Sequence, residues 1–135
     1  MRMQRVYDYA VIRVVPRVER EEFINAGVIV SCQGARTLVA AVALDPVRLH
    51  ALDPHADVDT LQRHLDAIVR ICRGDADGGP IAALPARARF HWLTARRSSM
   101  IQVSPVHTGR TDDPEGLCAR LMARMVLPPG PVRGA

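Results

Sequence analysis

"YDYAVIRVVP", residues 7–16, is the stretch whose reading decides the fold. It is built almost entirely of β-branched, aromatic and aliphatic residues and closes on Pro16, which predicts a strand. Alternation puts Tyr7, Tyr9, Val11 and Val15 on one face and Ala10, Ile12 and Val14 on the other. A strand apolar on both faces belongs at the centre of its sheet.

Working outward from it, "RVEREEF" (17–23) reads as an acidic turn and "INAGVIVS" (24–31) as a second strand. "CQGAR" (32–36) supplies a glycine-containing turn, and "TLVAAVAL" (37–44) reads as a third strand. So short a connection makes the second and third strands an antiparallel hairpin.

Beyond residue 44 the period changes. "DPVRLHALDP" (45–54) reads as one or two helical turns, and "DTLQRHLDAIVRICRG" (59–74) as a longer helix. Asp59 is its expected N-cap, with Gln62 completing a capping box. Leu61, Leu65, Ile68 and Cys72 form its apolar stripe, and Gly74 its C-cap. "GDADGGP" (74–80) is a loop.

"ARARFHWLTARRSS" (86–99) is ambiguous between strand and short helix, with a helical turn favoured over "FHWLTA". "SMIQVSPV" (99–106) alternates like a half-exposed strand. In "TGRTDDP" (108–114), Gly109 is expected to take a positive φ in a turn. Asp113 and Pro114 then cap and open a last helix, "DPEGLCARLMARMV" (113–126). Leu117, Cys118, Leu121, Met122 and Met125 line its inner face, with Arg120 and Arg124 outside. The expected architecture is α+β, a small antiparallel sheet with helices packed on one face. It forms one domain over residues 1–126, followed by a flexible Pro/Gly-rich tail over 127–135.

Composition narrows the function. Of 135 residues, 48% are hydrophobic and 24% charged, as in a soluble globular protein. The longest apolar run, "LVAAVAL" (38–44), falls far short of the roughly 20 residues that cross a bilayer. No export signal is expected at the start of the sequence, because Asp8 and Arg13 break the first apolar region. A cytoplasmic location is expected, in keeping with three widely spaced cysteines, Cys32, Cys72 and Cys118. The net charge is +4, and all 18 basic residues are arginine, scattered without a dense block. No aromatic platform or recognition motif accompanies them, which argues against nucleic-acid binding.

The candidate chemistry lies in two segments. In "EREEFINAG" (19–27), a carboxylate pair including Glu22, with Asn25, could serve acid–base chemistry if buried. The plainer reading is a solvated turn in which Asn25 bonds its own backbone and Phe23 anchors the core. In the second segment, Arg96, Arg97, Ser98, Ser99, Ser104 and His107 could bind phosphate or another anion. Serine, histidine and aspartate are also the ingredients of a nucleophilic triad, but no Gly-x-Ser-x-Gly elbow is present. The histidines His50, His55, His64, His91 and His107 lack ligand spacing, so neither a metal site nor any cofactor is expected.

The segments "YDYAVIRVVPRVEREEFINAGVIV" and "RSSMIQVSPVHTGRTDDPEGLCARLMARMV" together resemble the bacterial domain of unknown function 3037. The resemblance rests on Arg13, Val15, Pro16, Glu22, Phe23, Asn25, Gly27 and Val28, then on Ser104 to His107, Gly109, Asp113 and Pro114. It implies a small cytoplasmic bacterial protein with no established reaction. It also implies a partner, since such proteins are expected beside HipA-like serine/threonine kinases. The leading functional expectation is therefore a non-enzymatic protein-interaction or accessory module. The competing one is a small enzyme or anionic-ligand-binding domain whose site joins Glu22 and Asn25 to Arg97 and His107. That joint site requires the four side chains to converge in one cleft.

Overall fold

The structure, a computed structural model, describes residues 3–97 and 99–130; the candidate Ser98 and the end of the predicted tail lie outside them. Five strands, β1 (Arg5–Val14), β2 (Ile24–Cys32), β3 (Thr37–Val42), β4 (Ile101–Val103) and β5 (His107–Thr111), form one antiparallel sheet. Four α-helices accompany it: α1 (Pro46–Leu52), α2 (Val58–Arg73), α3 (Ala86–Leu93) and α4 (Pro114–Met125).

The central place of β1 follows from its two apolar faces. It pairs with β2 on one side and with both β4 and β5 on the other, while β3 lies outside β2. Ile12 and Val14 enter a core with Leu49 of α1, Leu61 and Leu65 of α2, and Phe90 of α3. Val11 and, from β2, Val28 and Val30 enter a second core against Leu117, Leu121 and Met122 of α4. The expectation of helices on one face thus holds for α1, α2 and α3. The second face of β1 is equally apolar, and α4 covers it.

Local capping places the helices. Asp45 accepts from the N–H groups of Val47 and Arg48 to start α1. The start of α2 differs from the sequence reading. Asp57, not Asp59, is the N-cap, accepting from the Thr60 N–H at 3.1 Å and the Thr60 hydroxyl at 2.7 Å. Asp59 is left in the first turn, where its charge complements the helix dipole. Gln62 bonds forward to Asp66 instead of closing a capping box. Gly74 ends α2 at φ 73°, as expected. The segment of uncertain type is helical and longer than "FHWLTA", because Phe90 and Leu93 bury their side chains at helical spacing.

The β4–β5 passage corrects a second expectation. Gly109 lies within β5 opposite Tyr7, not in a turn of positive φ. A methyl group there would lie 2.6 Å from the Tyr7 ring, so glycine answers a close approach. β4 and β5 follow one path along β1, interrupted at Ser104. There the buried Val11 N–H donates to Ser104 Oγ at 2.8 Å, and Ser104 N–H donates to the Val11 carbonyl at 2.8 Å. The serine hydroxyl thus satisfies a backbone donor where the ladder breaks.

Candidate functional site

β4 ends the strand order, and among the described residues no strand covers its outer edge. Val15 N–H donates to the Met100 carbonyl at 2.7 Å, and Ser104 N–H to that of Val11, so Met100 and Ser104 turn their backbone groups toward β1. Antiparallel ladders alternate inward and outward residues. Gln102, paired with Arg13, therefore also faces β1, and the backbones of Ile101 and Val103 point away from the sheet. Ser99 Oγ occupies one of these outward groups, donating to the Ile101 carbonyl at 2.7 Å.

A cleft lies on each side of this edge. The first, about 600 Å³, is largely apolar, with Ile68, Ile71, Trp92, Leu93, Met100 and Ile101 in its wall. Trp92 and Met100 keep more than a third of their surface in solvent at its mouth. The second cleft, about 710 Å³, is lined by Arg13, Arg96, Arg97, Gln102, Ser104 and, as the one carboxylate, Glu21. Gln102 and Val103 line both, and so does Arg97. Its guanidinium sits 4.0 Å over the Trp92 ring and donates to the Trp92 carbonyl at 2.5 Å, which fixes it at the junction.

The sequence-derived candidates divide accordingly. Arg96, Arg97 and Ser104 meet in the second cleft, and Ser99 lines the first. Glu22 pairs with Arg20 at 2.5 Å on the surface. Asn25 does not bond its own backbone: its Nδ2 donates to the Met125 carbonyl at the end of α4, 2.9 Å away. His107 lies on β5 with its ring 5.3 Å from that of Tyr9, opposite it in the ladder. Glu22, Asn25 and His107 thus have separate partners. Phe23 is not a core anchor; it is 44% exposed, with the Arg13 guanidinium 4.3 Å over its ring.

Ser104 has no free hydroxyl for attack, since Oγ accepts from Val11 and donates to the Pro105 carbonyl at 2.9 Å. Burial pushes the Cys72 thiol up to about 12 and raises that of Cys118, so both stay protonated and weakly nucleophilic at neutral pH. Among the described residues, no group of three or more His, Cys, Asp or Glu side chains could hold a metal ion. No described helix is long and apolar enough to cross a membrane.

Sequence reasoning missed Arg13, Gln102, Glu21 and Trp92 as cleft residues. One signal was available: Arg13 interrupts the apolar run of the central strand, where a charge needs a reason. Gln102 and Glu21 carried none, because only the pairing of β1 with β4 brings their segments together.

The family model described as "protein of unknown function (DUF3037)" matches residues 9–126, and the chain belongs to that family. No curated protein and no solved structure matches it.

Proposed function

We propose that this member of the DUF3037 family is a non-enzymatic accessory module that binds a partner protein, which adds an extended apolar segment to the open edge of β4. The observation that carries this reading is the outward backbone of Ile101 and Val103 beside the apolar cleft of about 600 Å³. Strand addition draws affinity from main-chain hydrogen bonds and specificity from side-chain pockets next to the edge. Trp92, more than a third exposed at the mouth and held by Arg97, is the residue type that anchors interfaces. The engaged hydroxyl of Ser104 and the protonated thiols of Cys72 and Cys118 favour binding over covalent catalysis. The family resemblance makes a HipA-like serine/threonine kinase the first partner to test, and free cysteines suit a reducing cytoplasm.

The experiment is a tagged pull-down from the native cells at moderate salt, run in parallel with Met100→Glu. A kinase-like protein recovered in stoichiometric amount with the wild type and lost with the variant is the expected result. Recovery of the tagged protein alone from both would contradict a stable complex.

A further inference from the structure

The second cleft is not accounted for by strand addition, and its charge is unbalanced. Arg13, Arg96 and Arg97 bring three positive charges against the single carboxylate of Glu21. Neither Arg13 nor Arg96 has a carboxylate partner among the described residues. Arg13 Nε is moreover buried without a hydrogen-bond partner among them. A guanidinium in that condition is costly, because a buried polar group that gives up water requires compensation. Stacking on Phe23 covers one face of the group without accepting any of its hydrogens.

We infer that this cleft binds a phosphomonoester dianion, with Arg13, Arg96 and Arg97 as its cationic donors; the Gln102 Nε2 beside them already donates to the Ser99 carbonyl at 2.8 Å. The formal surplus of two positive charges matches a phosphomonoester, which carries about −1.5 to −2 at neutral pH. Guanidinium groups suit it, since their planar forks donate pairs of hydrogen bonds to phosphate oxygens. At about 710 Å³ the cleft has room for the group that carries the phosphate as well. The phosphate site shares Arg97 and Gln102 with the apolar cleft, but titration with small anions reads it out without any partner protein.

The test follows the arginine Nε–Hε resonances of the ¹⁵N-labelled protein by NMR at constant ionic strength. Inorganic phosphate is added in one series and acetyl-phosphoserine amide in another. Saturable shifts of the Arg13, Arg96 and Arg97 signals are expected. Arg96→Gln and Arg97→Gln, both at exposed positions, each weaken binding about tenfold. Glu21→Gln tightens it, a gain that no folding defect would produce. Tighter binding of the phosphoserine compound than of inorganic phosphate is expected of a phosphomonoester site; equal or weaker binding overturns that assignment. Shifts that grow linearly without saturation, or that survive in the Arg96→Gln/Arg97→Gln double variant, overturn it.

Discussion

Gly27 has no room for a methyl group. An added Cβ would stand 2.5 Å from the Ala41 carbonyl oxygen on the neighbouring strand and 3.0 Å from Ile12 and Val42 side-chain carbons. Relief would require β2 and β3 to separate. At Gly109 the obstacle is the Tyr7 side chain, which can swing away. Gly27→Ala should therefore cost about 3 kcal/mol and Gly109→Ala about 1 kcal/mol, as measured by urea denaturation. Equal costs would show that the backbone contact at Gly27 relaxes more freely than its geometry suggests. Much of the family resemblance has the same structural basis. Gly27 and Gly109 answer close approaches, Ser104 repairs a broken ladder, and Asp113 caps a helix by accepting from the Gly116 N–H. Arg13 is different: the fold buries its Nε and supplies no acceptor among the described residues.

At the scale of elements, α4 is held at its end as well as along its face. Its last carbonyls have no partners within the helix. Asn25 Nδ2 donates to the Met125 carbonyl, and Arg48 Nη1 to that of Val126 at 3.3 Å. Asn25→Ala is expected to cost about 1 kcal/mol and to raise hydrogen exchange in the last turn of α4 ahead of the sheet. Uniform acceleration over the whole molecule would assign Asn25 a different role. Elements of this kind were legible in the sequence because their signals are local. β1, β2, β3, α1, α2 and α4 announced themselves by periodicity, Asp-Pro starts and the C-cap glycine. β5 was hidden, since "HTGRT" lacks the apolar alternation of a half-buried strand and pairs only because β1 offers an edge. The candidate site was less legible still. Arg96 and Arg97 could be named, but Arg13, far away in sequence, joins them only through the pairing of β1 with β4.

At the scale of the whole molecule, one polar cluster ties distant parts together. Asp8 on β1 accepts from the Thr108 hydroxyl on β5 at 2.6 Å and pairs with Arg87 of α3 at 2.8 Å, while Arg87 also donates to Ser31 of β2 at 3.1 Å. The Thr108 hydrogen bond, with Arg87 beside it, holds the Asp8 carboxyl below its ordinary value against the opposing effect of burial. A carboxylate whose pKa is lower folded than unfolded stabilises the fold above its unfolded value of about 3.9. That contribution is lost as pH falls through the folded value. Asp8→Asn should therefore be less stable than the wild type near neutrality by about 1 kcal/mol, the gap narrowing below about pH 4. A gap unchanged down to about pH 2 would mean that Asp8 does not act through its charge. The same long-range pairing has a consequence for biosynthesis. β1 leaves the ribosome first, yet the strands that complete one of its edges begin at Ile101. Once β3 has emerged, roughly sixty more residues must be made at about 5–20 per second, which leaves the central strand open for about 3–12 s. Through that interval the nascent chain exposes an apolar, unpaired edge of the kind that seeks other strands, and α1 and α2, which pack on one face of the sheet, leave that edge unpaired.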